Sequence, residues 1–368
     1  MIKSKDISVV VQGQINKFET KKCLKSIRKY LPDSEIILST WKDSDVKDLD
    51  YDVLIENKDP GTTQTGTHHN LPAYNNLNRQ LLSTQEGLKK CSRKYVLKLR
   101  SDFILSSNKF LNYFDKFSNR NEKYVLFKNK IITSCLVSRF TIKHQNEQIP
   151  IPFHISDWWF FGLKQDIETY FLETPLVVEP EFSNYFSIKE NLNKKTPYNK
   201  IKFKFAPEQY FAYECFNRHF DVHMEDASDV NTEIIEKSRK LIINNFIILE
   251  YNHSGIYTNK YSYSKNESFS GEQYIGLYNF YRYELEYKKY CDKNYEITAN
   301  NSFLKDIKLG YATMRLQKHL WMLMDKNGSF LTKLEQLFIG IPYSIINLLF
   351  LLIFDRYKKE DIQNEYDN

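Results

Sequence analysis

Cysteine is scarce in this chain of 368 residues, and its five copies, Cys23, Cys91, Cys135, Cys215 and Cys291, lie far apart. Their number is odd and no pair has CxxC spacing. That pattern excludes a disulfide framework or a zinc knuckle and suits a reducing cytoplasm. No glycine-rich phosphate loop follows the first apolar run, which argues against a nucleotidyltransferase. Met1 to Asp6 lead straight into that run, so no signal peptide is expected. No internal repeat is visible. Charge of one sign is also modest: 52 Lys and Arg against 46 Asp and Glu leave a net charge of +6. Spread this thinly, it excludes a nucleic-acid partner and favours small anions such as nucleotide phosphates, or an acidic membrane.

What is abundant is aromatic. The 26 Tyr and 26 Phe suit stacking on sugar rings or a membrane interface, and a biased genome composition accounts for them equally well. The length allows a large core, read as one main domain with an extension.

The first hundred residues alternate between strand and helix signals. Ile7 to Val11 is a β-branched run that reads as a buried parallel strand. Thr20 to Leu31 carries Cys23, Leu24, Ile27 and Leu31 at helical spacing, and Pro32 stops it. Glu35 to Ser39 and Asp52 to Ile55 are further strands, followed by a polar loop over Thr62 to Asn70. A helix is expected from Tyr74 to Cys91, then a fourth strand, Tyr95 to Asp102. This order predicts an α/β fold with a mostly parallel, doubly wound sheet. Farther on, strands are expected at Lys123 to Phe127, Ile131 to Val137 and around Asp157 to Gly162, with a helix over Lys164 to Leu172. Val178 to Lys204 reads as a flexible loop, and Pro207-Glu208 opens a helix running to about Arg218. Helical stretches are expected near 275–290 and 302–324.

The fourth strand ends on Arg100-Ser101-Asp102. At the carboxyl end of a strand in an open sheet, a carboxylate can hold a cation or a sugar hydroxyl, and an arginine can reach a phosphate. This segment belongs to an ordered set: Val9-Val10-Val11-Gln12-Gly13, Ser26-Ile27-Arg28, Leu38-Ser39-Thr40-Trp41, Asp59-Pro60-Gly61, Asn76 to Gln80, Gly87-Leu88 and Leu97 to Asp102. The set continues through Ser156-Asp157-Trp158 with Phe161-Gly162, Pro207-Glu208-Gln209-Tyr210, and Ser254-Gly255-Ile256 with Lys260. In this order and spacing it resembles the WavE lipopolysaccharide-synthesis family of bacterial glycosyltransferases over roughly the first 260 residues. The resemblance implies a GT-A-like (Rossmann-type) nucleotide-sugar-binding fold and a role in building surface polysaccharide. The sugar stays undefined.

On that footing Gln12 and Thr40, after the first two strands, are expected to line the nucleotide slot. Asp59 is either a base- or ribose-binding carboxylate or a turn aspartate before Pro-Gly. Asn78 and Arg79 either reach the donor or form a solvated helix face. Arg100 and Asp102 stand where GT-A enzymes carry an Asp-x-Asp metal motif, with Arg100 replacing the first acid. Two versions follow: Asp102 holds Mg²⁺ or Mn²⁺, with His253 as a partner, or no metal is used and Arg100 and Lys260 neutralise the leaving diphosphate. Glu208 is the first choice for the base that deprotonates the acceptor, similar to the helix-start acid of some inverting GT-A enzymes, and Asp157 is the second. Trp158 is the candidate for stacking on the acceptor, against the commoner use of tryptophan as core. His68-His69 reads as part of a mobile donor-side loop.

Near the C-terminus, Leu337 to Phe354 is apolar and uncharged, flanked by Lys333 and by Arg356, Lys358 and Lys359. At about 1.5 Å per residue it extends roughly 27 Å, marginal for a bilayer core of about 30 Å, so it reads as a helix lying in the interface, or else as a buried core or dimer helix. The expected organisation is a glycosyltransferase domain over 1–225, a helical extension completing the site over 226–330, and a membrane-associating helix over 331–360. The expected partners are a nucleotide-sugar donor, a lipid-linked or polysaccharide acceptor and the cytoplasmic face of the inner membrane. A catalytically inactive sugar-binding or scaffold subunit is the competing reading.

Overall fold

A computed structural model describes residues 2–68, 71–144, 147–198, 200–258, 276–298 and 329–354, with isolated positions between 316 and 323. The chain clusters into two compact units, Met1–Lys265 with Leu277–Glu296, and Asn266–Gly276 with Ile297–Asn368. The helical stretch expected over 302–324 lies almost wholly outside the described residues, as does Lys260.

In the first unit β1 (Ile7–Gln12), α1 (Lys17–Tyr30), β2 (Glu35–Trp41) and β3 (Val53–Asn57) come first. The hairpin β4 (Thr63–His68) and β5 (Leu71–Asn75) leads to α2 (Leu77–Leu88) and β6 (Tyr95–Arg100). Next come β7 (Phe103–Leu105), β8 (Ile131–Ser134), β9 (Arg139–His144), β10 (Glu147–His154), β11 (Trp159–Leu163) and α3 (Lys164–Phe171). The unit is completed by α4 (Pro207–His219), α5 (Thr232–Asn245), β12 (Phe246–Leu249), α6 (Tyr251–Ser254), β13 (Ile256–Thr258) and α7 (Phe280–Tyr290).

Seven strands form the central sheet in the order β12-β8-β11-β6-β1-β2-β3. All pairings are parallel except those of β11, which runs against both β6 and β8. Every residue of β1 is buried, as a parallel strand covered on both faces must be. Helix α1 begins where the Asn16 side chain accepts a hydrogen bond from the Glu19 amide, and it turns Cys23, Leu24 and Ile27 inward. The edge strand β12 lies beyond residue 225, and α5 and β12 are elements that the Tyr-, Asn- and Lys-rich sequence there does not announce.

Three expectations are corrected. The polar loop over 62–70 is largely a β-strand: β4 pairs with β5, and the Thr65 hydroxyl donates to the Ser183 carbonyl at 2.6 Å. Lys123 to Phe127 is not a strand, because the Asn245 carboxamide oxygen takes the Leu126 and Phe127 amides at 2.7 and 3.1 Å. Val178 to Lys204 folds into ordered turns, with Phe182 and Phe186 buried and Lys194 paired to Asp226 at 2.8 Å.

In the second unit, α8 (Phe330–Glu335) runs through a π-helical segment, Gln336–Gly340, into α9 (Ile341–Phe354). Phe338 and Ile346 are 70% and 65% exposed. Among the described residues no helix is long and apolar enough to cross a membrane.

Helix α2 lies tight against the sheet at Gly87, where a Cβ would come within 2.4 Å of Val10 Cγ1. Valine has little rotamer freedom to yield. Gly87→Ala is therefore expected to destabilise the protein by about 1–3 kcal/mol in urea melts, and Val10→Ala in the same chain should recover part of the loss.

Candidate active site

The chain leaves β1 through α1 to β2 on one side and returns through α2 to β6 on the other. Strand order thus reverses between β1 and β6, and at such a switch point the two following loops diverge and leave a crevice beyond the carboxyl ends of the strands. Register places Gln12 opposite Arg100 and opposite Ser39. Beyond them opens a cleft of about 680 Å³, whose lining includes Gln12, Trp41, Arg79, Gln80, Arg100 and Asp102. Gly13 lines it too, at φ +112°, a conformation that glycine adopts without strain. Asn16 and Asn76, which cap α1 and α2, stand in the same wall, so two positive helix ends border the cleft.

The predicted donor-side residues divide into those that face the cleft and those that build it. Gln12 lines it and accepts a hydrogen bond from the Ser83 hydroxyl at 2.7 Å. Thr40 is fully buried and paired with Ser44 at 3.2 Å, leaving its neighbour Trp41 in the wall. Asn78 clamps the Val177 backbone, donating to its carbonyl at 2.9 Å and accepting from its amide at 2.8 Å, so it is a fastener of the 177 segment. Asp59 is absent from the lining. Its carboxylate takes Arg79 Nε at 2.6 Å, Arg79 Nη2 and the Gly61 amide, and the Arg79 contact holds its pKa below the usual value. The turn role is the one made here, and the same carboxylate fixes an arginine of the cleft.

Asp102 and Arg100 form a bidentate pair, with Nε and Nη2 of Arg100 donating to the two carboxylate oxygens at 3.1 and 2.7 Å. Below them lies Trp158, 5% exposed, with its ring 5.8 Å from the Arg100 guanidinium and edge-on to Phe103. Trp158 is therefore a core residue under the arginine, and the acceptor-stacking role expected for it is not offered by this burial. His253 packs on Phe280 and Tyr113 and does not line the cleft. The expected cation pair of Asp102 and His253 is thus not made. Among the described residues no three His, Cys, Asp or Glu side chains come together as cation ligands, and Asp102 is engaged by arginine; this donor set does not fit a protein-built divalent site.

A second group adjoins the cleft. Because β11 runs antiparallel to β6, with Trp159 opposite Leu99, the chain enters β11 at the sheet end that carries Arg100. Asp157 sits at that entry, and its main-chain carbonyl accepts from Gln80 Nε2, a cleft residue, at 2.7 Å and from the buried Lys98 ammonium. Burial lowers the Lys98 pKa to about 7 against the attraction of Asp157. Asp157 is itself buried, and its Oδ1 has no hydrogen-bond partner.

Glu208 occupies the first turn of α4, behind Pro207 at the helix start, as its sequence signature suggested. Burial, and then the charge of Asp157, raise its pKa to about 8. The two predicted bases are thus electrostatic neighbours, and near neutrality Glu208 holds a proton. Such a pair can accept a proton from a hydroxyl and hold it. Lys98 and Gln80, which hold the Asp157 main-chain carbonyl, lie within the motif set but receive no role from it: a lysine inside an apolar strand was the available signal.

A doubly wound sheet with a polar crevice at its switch point defines an α/β protein whose ligand site is expected beyond the carboxyl ends of the strands. Within that class, residues 7–321 match the WavE lipopolysaccharide synthesis family, and the chain belongs to it. No curated protein matches the sequence. Among solved structures, the crystal structure of S. aureus TarS 1–349 aligns at 10% identity over 96% of this chain and 93% of that one, with a TM-score of 0.28. So loose a superposition carries no argument about chemistry.

The Glu208 proton has a consequence for stability. In the unfolded chain the group ionises near 4.5, in the folded chain near 8. The contribution of this group to stability is therefore fully present below the unfolded value and is lost as pH rises from about 4.5 to about 8. In Glu208→Gln that part of the decline should vanish, which urea melts between pH 5 and 9 will measure.

Proposed function

We propose that this protein transfers a sugar from a nucleotide-diphosphate donor to a growing bacterial surface glycan such as lipopolysaccharide or capsule, on a GT-A-like scaffold. The observation that carries the reading is that Gln80, in a polar cleft at the sheet's switch point lined by Arg79, Arg100, Glu19 and Asp102, bonds the main-chain carbonyl of Asp157, one of the two predicted bases. In this reading the cleft receives the donor diphosphate. Arg79, Arg100 and the starts of α1 and α2 supply positive potential where charge develops on the leaving group. Reorganisation of the Arg100–Asp102 pair around the diphosphate supplies that charge from the chain's own side chains, the metal-independent version of the mechanism. The Asp157–Glu208 pair receives the acceptor hydroxyl and removes its proton as the new glycosidic bond forms.

Membrane attachment belongs to the same reading. The exposed apolar residues of α9, with Lys333 before them and Arg356, Lys358 and Lys359 after them in sequence, suit an interfacial helix on the anionic cytoplasmic leaflet. A lipid-linked acceptor is met at that surface.

UDP-, GDP- and CMP-sugars, each with and without Mn²⁺, test the donor claim by thermal shift and by release of free nucleotide. A true donor raises the melting temperature and is slowly hydrolysed, and the rise persists without Mn²⁺. Stabilisation without any turnover, with acceptor present, would favour the inactive scaffold. Once a donor is known, Glu208→Gln should lower transfer by roughly 10²–10⁴-fold. The wild-type rate should climb with pH towards the Glu208 pKa of about 8. On vesicles with and without phosphatidylglycerol, cosedimentation of the full chain should require the anionic lipid and weaken in Phe338→Asp/Ile346→Asp.

A further inference from the structure

We infer that the hairpin β4–β5 and the segment 176–204 together form a docking surface for an anionic lipid leaflet. The inference rests on the membrane reading above and adds a second contact, on the unit that carries the cleft. Large apolar side chains scattered singly over a surface are ordinary, whereas a cluster of them marks a contact. Among the described residues of the first unit seven such side chains are exposed, and six belong to these two segments: Leu71, Tyr74, Leu176, Val178, Ile188 and Leu192, with Phe18 the exception. Val178, Leu71 and Leu192 are 74%, 68% and 62% exposed. The two segments are one piece of structure. Gly66 bridges to Ile201, the Thr67 amide donates to the Lys200 carbonyl at 3.3 Å, and Asn75 Nδ2 donates to the Ser183 hydroxyl at 3.0 Å. Ile188 and Leu192 flank a single 3₁₀ turn, Lys189–Asn191, whose buried Asn191 donates to the Tyr185 carbonyl at 3.2 Å. The exposed side chains are thus carried on a fixed backbone, and covering them costs little further ordering of the chain.

Charge identifies the partner. Residues 61–76 include no Lys, Arg, Asp or Glu, and residues 176–204 include six lysines and three acids. Lys189, Lys195 and Lys200 are exposed. An uncharged hairpin beside an excess of lysine matches a leaflet, which offers apolar depth behind an anionic face. Strand β5 runs straight into Asn76 of the cleft wall, so a leaflet on this surface lies next to the crevice.

Leu71→Cys and Leu192→Cys, each carrying an environment-sensitive dye, test the assignment in the full chain, with Phe18→Cys as the control from elsewhere on the same unit. The native cysteines are buried or partly so, and dye taken up by the wild-type chain is the blank. On vesicles of phosphatidylcholine with phosphatidylglycerol, emission from the dyes at 71 and 192 should shift to the blue while that at 18 stays unchanged. Phosphatidylcholine alone should give no shift. In the Phe338→Asp/Ile346→Asp chain, adding Leu71→Asp/Leu192→Asp should lower the residual lipid affinity by about tenfold or more. Lys189→Gln and Lys195→Gln should each lower it by about fivefold at low salt. Circular dichroism of each variant separates misfolding from lost binding. Dyes that stay unshifted while the chain cosediments overturn the docking surface and leave attachment through α9 intact. A shift of equal size without phosphatidylglycerol overturns the anionic-lipid assignment. So does one that grows with protein concentration in the absence of vesicles, which marks a second copy of the chain as the occupant. Failure of the wild-type chain to cosediment overturns this inference and the membrane reading together.

Discussion

The parallel pairing of β1 with β6 is the constraint on which the site depends. These strands are far apart in sequence, and bringing them side by side forces the chain to wind away in opposite directions on the two sides. The crevice follows from that reversal and needs no special residue. Its walls are then set by register: Gln12 faces Arg100 because Ile7 faces Tyr95, and a slip of one residue would turn both side chains to the opposite face. The burial of β1 and the close seat of α2 on Val10 make such a slip costly.

The reversed strand β11 extends the site. A parallel strand beside β6 would enter from the far end of the sheet, whereas β11 enters at the crevice and leaves Asp157 there. Two side chains from different elements, Gln80 and Lys98, grip the same Asp157 carbonyl. Glu208 arrives from the start of α4, where proline and the helix dipole suit an acid, yet its proton affinity is set by burial and by Asp157. The charge of Asp157 thus helps to keep the proton on Glu208.

Arginine is used twice in one manner. Arg79 is held by Asp59 and Arg100 by Asp102, each through two nitrogens. Bidentate pairing fixes a guanidinium plane in space, which a lone flexible arginine in a wet cleft would lack. Both cleft arginines are thus held in place by a neighbouring acid.

The sequence alone determined the alternation of the first hundred residues, because buried parallel strands need uninterrupted β-branched runs and amphipathic helices need their own period. It also determined that Gln12, Arg100 and Asp102 share one end of the sheet, since strand ends announce themselves in apolar patterning. Polar segments gave weaker signals. The hairpin over 63–75 is held by contacts to Ser183 and Ile201, and the segment before β8 is drawn off the ladder by Asn245, neither of which leaves a local periodicity. Only the tertiary structure decided which candidates face the cleft. Asn78 and Thr40 turn to structural partners, Trp158 sinks beneath Arg100, His253 stacks elsewhere, and Trp41 takes the wall. The reason is physical: a residue's type and period tell which face of an element it occupies, but hydrogen-bond partners and burial come from elements a hundred residues away.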